Sequence, residues 1–420
     1  MRRALPLALV ATCAVLAAGC VTSNPDSSTK AGKAEGTITF WHSYSADSPE
    51  VKTLREKVIP GFEAQHPRAE VKDVSIPYEK LHQKVVTSAA GGTLPDVLRS
   101  DIVWVPEFAK LGLLEDMKAL LPDFDKLVAK TYPGPLETNK YQDRYWGVPL
   151  DTNTRVLLYN SDALAKAGMK KPPRTFKDMR SYADKLSAKG VKLFADNDLT
   201  GWNVAPWIWS AGGEITDEDH KKATGYLNSP ASVRGVKLLQ DLYDKKQIPR
   251  LIVGSQGSKA LPQGLAKGDY ASLLDGPWLY PVMKKQYPDF AMKAAPVPAG
   301  PGGSISVVGG ENVVVTKSSR NKQLAAEFTR YLLSPKAQRA MAEVGQMSVL
   351  KDVDMAAIDP VYKSYATQLK TARPRTPVPN WPKIDDLLKK KLQTTFTDHG
   401  DVKKALDEAA AEIDTLLAEG

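Results

Sequence analysis

From Thr37 onward the chain alternates between two apolar rhythms, and this alternation limits the possible fold more than any other feature. In Thr37-Ile-Thr-Phe-Trp41, residues Ile38 and Phe40 fall on one side of an extended strand. Val51, Leu54, Val58 and Phe62 follow at spacings of three and four, as on a helix with one buried stripe. Val71, Val74 and Ile76 mark a second strand between Glu70 and Ile76. Leu81, Val85 and Ala89 mark a second helix, closed by Gly91-Gly92. Strand and helix keep alternating, which predicts an α/β architecture with largely parallel sheets.

Later helices are announced by their caps. Thr175 with Asp178 has capping-box spacing. Ser229-Pro230 and Ser334-Pro335 each place a capping hydroxyl before a proline at the first helical position. Three apolar stripes read as core: Val233, Val236, Leu239 and Leu242; Leu324, Phe328, Tyr331 and Leu332; and Val402, Leu406, Ala409, Ile413 and Leu417. Proline and glycine gather at Ala295–Gly303 and Arg373–Pro382, predicted loops or crossings between larger units. A length of 420 residues suggests two or more domains.

The chain begins with a basic pair, Arg2-Arg3, then an uncharged stretch from Ala4 to Ala18, then Ala-Ala-Gly before Cys20. Those are the three parts of a secretory signal peptide. The uncharged stretch is 15 residues, short of the roughly 18 needed to span a bilayer. Leu16-Ala-Ala-Gly-Cys20 resembles a bacterial lipoprotein box, with Ala17 where an apolar residue is favoured. The resemblance implies that residues 1–19 are removed, that Cys20 is acylated, and that the protein sits on the outer face of the cell membrane. Val21–Gly36 is polar and reads as a tether. Cys13 lies in the leader and Cys20 takes the lipid, so no disulfide framework or thiol chemistry is expected.

Net charge is +9, and +7 without Arg2 and Arg3. The basic residues are scattered among 48 acidic ones. Lys389-Lys390-Lys391, the longest basic run, reads as a solvated helix face, so no nucleic-acid partner is expected.

Catalytic constellations are weak in the sequence pattern. His42, His66, His82, His220 and His399 show no metal-ligand spacing. There is no Gly-x-Ser-x-Gly elbow and no phosphate-cradling Walker loop. No cofactor, metal or catalytic residue is predicted. The tryptophans say more. Trp202-Asn-Val-Ala-Pro-Trp207-Ile-Trp209 holds three of the chain's eight, and others fall at predicted strand ends. Flat rings match the C–H faces of sugars, while amides and carboxylates match their hydroxyls. Tryptophan in a large protein is also ordinary packing, and Trp104 and Trp146 are read that way.

An ordered series of landmarks resembles the extracellular solute-binding proteins of ABC importers, the group that includes maltose- and oligosaccharide-binding proteins. The series runs through Thr37–Trp41, Gly92-Thr-Leu-Pro-Asp96-Val, Tyr145-Trp-Gly-Val-Pro149, Gly268-Asp-Tyr-Ala, Gly276-Pro-Trp278, Gly309-Gly310 and Thr316-Lys-Ser-Ser. The resemblance implies a two-lobed periplasmic-binding-protein-like α/β fold, with a parallel-dominated sheet in each lobe and a ligand cleft between them. Lobe 1 would hold 37–151 and 310–350; lobe 2 would hold 152–309 and 351–420. It implies ligand contacts at Trp41, His42 and Tyr44 after the first strand, at Asp101, and at Asn153 after the first crossing. It further implies Trp202, Trp209 and Trp278, then Gly310, Glu311 and Asn312 at the return crossing, and Trp381.

The function implied is capture of a carbohydrate, with spaced aromatics favouring a di- or oligosaccharide. Delivery would be to ABC permease subunits by hinge closure, by a monomer, without catalysis. Two other readings stay open on the sequence. A cleft lined by Arg and Lys would favour a non-sugar solute. Two carboxylates at catalytic separation would favour a surface carbohydrate hydrolase.

Overall fold

Strand β1 (Gly36–His42) opens the ordered chain, followed by β2 (Ala69–Ser75), β3 (Val97–Asp101), a small hairpin of β4 (Lys140–Tyr141) and β5 (Arg144–Tyr145), and β6 (Val148–Thr154). Then come β7 (Val156–Tyr159), β8 (Lys192–Ala195), β9 (Tyr270–Asp275), β10 (Lys293–Ala295), the long β11 (Ser306–Val315) and β12 (Ala372–Arg373). These belong to a computed structural model that describes residues 34–254 and 260–420. The leader, Cys20 and most of the expected tether lie outside those residues. Gly36, placed in the tether by sequence, already belongs to β1, where its amide donates to the Arg68 carbonyl at 2.8 Å.

Two larger sheets result. The first has six strands, in the order β12-β11-β3-β1-β2 with β6 on β11; the second has four, β10-β7-β9-β8. The chain passes from one to the other at Arg155, between β6 and β7, and returns between β10 and β11. Parallel pairing joins β1 to β2 and β3, and β8 to β9. The strands flanking the crossings pair antiparallel, β6 and β3 with β11 and β7 with β10 and β9, while the short β12 adds to β11 in parallel. Both sheets are therefore mixed, and the largely parallel expectation fails at the crossings. A strand that arrives from the other unit is not delivered by a βα crossover, so nothing forces it parallel.

The predicted caps form. Thr175 Oγ1 accepts from the Asp178 amide at 3.0 Å while the Asp178 carboxylate accepts from the Thr175 amide at 3.2 Å. Ser229 and Ser334 cap their helices ahead of Pro230 and Pro335. The stripe from Val51 to Phe62 is buried along a helix broken by one π-turn, Leu54–Val58.

Phe40 on β1, Phe62 and Phe328 meet in the first core at centroid distances of 5.4 Å (Phe40–Phe328) and 5.1 Å (Phe62–Phe328), both edge-on. Phe328 is fully buried there. Phe328→Ala should lower stability by about 3–5 kcal/mol, read as a fall in the urea midpoint with the denaturant slope unchanged.

Candidate functional site

Two of the predicted tryptophans are brought together. Trp202 is the second residue of the Gly201–Ser210 helix, and Trp278 follows β9 through Gly276-Pro277. Their ring centroids lie 6.2 Å apart with planes inclined by 31°, and both rings are half-buried. Gly309 on β11 runs directly beneath. A Cβ at that position would strike the Trp202 ring at 2.6 Å and collide with Asn153 Oδ1. Asn153 pairs with Gly309 across β6 and β11, is 6% exposed, and its Oδ1 has no hydrogen-bond partner. A buried carbonyl oxygen without a donor is costly, so this one is ready to accept from a ligand.

Asp101 closes the same region from the end of β3. Its Oδ2 accepts from the Tyr78 hydroxyl at 2.7 Å, and its Oδ1 from Arg375 Nη2 at 3.1 Å and the Val103 amide at 2.9 Å. A ligand hydroxyl would have to compete with these donors. The Arg375 guanidinium sits 5.4 Å from the Trp202 ring, within cation–π range. Asp275 stands at the end of β9, and burial pushes its carboxyl up to about 6, opposed by Arg155 and by the Gly276 amide at 2.7 Å. Asp385 is likewise pushed up to about 6 by burial, opposed first by its bond from the Gly201 amide, which opens the Trp202 helix.

The remaining predicted contacts go elsewhere. Trp381 is 1% exposed and packs beneath Gly201, where a Cβ would meet its ring at 2.8 Å. It supports the start of the Trp202 helix instead of facing a ligand. Trp209 is buried under the Arg373 guanidinium at 5.1 Å, and Arg373 is paired with Glu214. Trp41 is buried in the core with Lys84 5.2 Å from its ring. Asn312 is spent on Thr138, at 3.3 Å to its carbonyl. Tyr44 and Glu311 belong to a buried cluster around Arg99. That guanidinium lies 4.2 Å from the Tyr44 ring, and its Nη2 reaches Glu311 at 2.7 Å and Asp151 at 3.3 Å. Burial drives the Glu311 carboxyl well above the usual range, with Arg99 opposing. Gly310 has a φ of 137°, and a Cβ there would collide with the Asp151 carbonyl, so only glycine lets β11 lie this close to β6.

Tyr78, Arg155, Asp275, Arg375 and Asp385 were not anticipated. Arg375 was legible in principle as one of two guanidiniums, with Arg373, in a proline-rich crossing. Tyr78 carried no signal beyond its place after Ile76-Pro77.

His42 is fully enclosed between the rings of Phe40 and Tyr44, with Nε2 3.1 Å from Asp73. Burial pushes it down to about 4, against the pull of Asp73. It is a core histidine in this structure, not a ligand contact. The unfolded chain binds this proton near the ordinary value of 6.5, the folded one only near 4. Its contribution is thus complete above about pH 6.5 and is lost as pH falls toward 4, to a limit on the order of 3 kcal/mol. Urea midpoints measured from pH 7 to pH 4.5 should drop more steeply for the parent than for His42→Gln.

Two α/β units joined by chain crossings, with aromatic and polar side chains gathered where the crossings meet, define a two-lobed solute-binding protein. Residues 45–339 match the model of the bacterial extracellular solute-binding protein family, and the chain belongs to that family. Its members bind solutes and do not catalyse, so this chain is a binding protein and not an enzyme. A relative, the galactooligosaccharide-binding protein of Bacillus subtilis, is 25% identical, covering 98% of this chain and 97% of its own. Maltose-bound MalE3 of T. maritima superposes with a TM-score of 0.81 at 26% identity, over 90% of this chain and 99% of that one. The GacH receptor of Streptomyces glaucescens, solved without ligand and with acarbose, shares the fold. Its TM-score is 0.83 at 24% identity, over 92% of this chain and 99% of that one. Among the described residues, no helix is long and apolar enough to cross a membrane.

Proposed function

We propose that this protein captures a carbohydrate, a di- or oligosaccharide, outside the cell and delivers it to the permease subunits of an ABC importer. The observation that carries the reading is the Trp202–Trp278 pair at the chain crossings, with the unsatisfied Asn153 carbonyl beside it. One gives a flat apolar surface for a sugar face; the other accepts a hydrogen bond from a sugar hydroxyl. The names of the Bacillus subtilis relative and of the maltose-bound neighbour support the ligand class. Charge supports it too. The two guanidiniums nearest Trp202, on Arg155 and Arg375, are each paired with a carboxylate, Asp196 and Asp101. Neither of these two cations is free for an anionic solute.

In this reading lobe 1 holds 37–151 and 310–350, and lobe 2 holds 152–309 and 351–420. They close about the crossings at Arg155 and Gly310. Closure follows ligand only so far as the closed form contacts it better. Asp101, Asn153, Trp202 and Trp278 touch the sugar, while Trp209 and Trp381 hold the Trp202 helix in place from behind. Lipid on Cys20 keeps the monomer at the outer face of the membrane, within reach of the permease.

A thermal-shift screen of residues 34–420 against mono-, di- and oligosaccharides tests this. A sugar at 100 times its Kd should add about 2.7 kcal/mol of stability, and the sugar should be recovered intact. No shift with any saccharide sinks the sugar reading. Trp278→Ala should weaken binding roughly tenfold in isothermal titration, with a far-UV spectrum like the parent's. Unchanged affinity would remove Trp278 from the site.

A further inference from the structure

Arg155 is the single residue between β6 of the first sheet and β7 of the second, and its side chain is 2% exposed. Its Nη2 donates to both oxygens of Asp196 at 2.8 Å and to the Leu274 carbonyl on β9 at 2.6 Å. Its Nη1 donates to the carbonyls of Trp202 at 3.2 Å and Asn203 at 3.3 Å. Its own carbonyl accepts from Ser306 Oγ at 2.8 Å, at the start of β11. One side chain thus joins the outgoing crossing, the end of β8, the helix that carries Trp202 and the strand that leads to Trp278, while its backbone holds the return crossing. The Trp202 ring itself lies 5.9 Å from the guanidinium.

A buried ion pair that only fills space can be replaced by apolar residues of similar volume at little cost. Arg155 does more than neutralise Asp196. Three carbonyls converge on its planar fork, and all three belong to the segments that aim the tryptophans. A lysine offers a point charge on a flexible stem and cannot hold that set of directions.

We propose that Arg155, held by Asp196, is a positioning residue for solute capture: it sets the angle between the Trp202 and Trp278 rings and ties that angle to the chain crossing. The functional meaning rests on the sugar-capture reading; the geometric claim does not. When the crossing turns, the aromatic pair turns with it.

Circular dichroism of the ligand-free protein across the strong indole band at the long-wavelength end of the far ultraviolet tests this. Two indoles at this separation couple, and the size of the resulting couplet depends on their distance and angle. Trp278→Phe defines the couplet by abolishing it. In the double variant Arg155→Met with Asp196→Leu, the amide bands at shorter wavelength should match the parent while the couplet falls at least twofold. Arg155→Lys, which keeps a charge beside Asp196, should show the same loss and is the deciding variant if the double one does not fold. A folded variant with the parent's couplet overturns the proposal. So does a parent spectrum that Trp278→Phe leaves unchanged, or the failure of both Arg155 variants to fold. A parent protein that binds no saccharide would sink the capture reading without touching the couplet, so the two failures are told apart.

Discussion

Arg155 carries a full charge at the point where the chain leaves one sheet for the other, and almost no water reaches it. Such a charge is tolerated only when a counter-charge and hydrogen bonds offset its desolvation, because burying an unpaired ion costs several kcal/mol; here both terminal nitrogens are matched while Nε has no partner. Asp196 supplies the opposite charge, and the carbonyls of Trp202, Asn203 and Leu274 take further donors. The demand runs both ways. The guanidinium must be surrounded, so the Trp202 helix, the end of β8 and β9 must all approach it. Their approach puts Trp202 and Trp278 within reach of each other.

β11 is the second constraint. It runs for ten residues through the first sheet and meets β6 and β3 along its length. Gly309 and Gly310 lie where side chains would collide with the Trp202 ring, with Asn153 and with the Asp151 carbonyl. Removing two Cβ atoms opens a narrow space in which an aromatic ring, an unsatisfied amide oxygen and a carboxylate come together. Asp101 fills part of it through Tyr78 and Arg375. The site is thus polar at its edge and flat in its middle, which is the chemistry a sugar presents from the other side.

Several elements were legible without coordinates because their signals are local. The Thr175–Asp178 box and the Ser-Pro starts at 229 and 334 depend on residues within one turn. The stripes ending at Phe62, Leu332 and Leu417 reflect helical period alone. Trp202 and Trp278 were legible as flat rings near glycine and at a strand end. Trp381 and Trp209 carried the same signal and went into the interior. Residue type and spacing do not distinguish a ring facing a cleft from one holding up the helix behind it. That difference is set by what packs on the far side, here Gly201 on Trp381 and Arg373 on Trp209.

The amino-acid sequence by itself determined the alternation of strands and helices, the caps, the core stripes and the family to which the chain belongs. These follow from periodicity, short-range hydrogen bonding and an ordered set of motifs. Only the tertiary structure decided that the crossing strands pair antiparallel, that His42 is sealed in the core, and that Arg155 and Arg375 stand beside the tryptophans. Each of those depends on contacts between residues tens to hundreds of positions apart: His42 with Asp73, Arg155 with Leu274, Asp101 with Arg375. Such pairs form because the sheets bring distant segments together and a buried charge must find a partner, and no local pattern records which partner it finds.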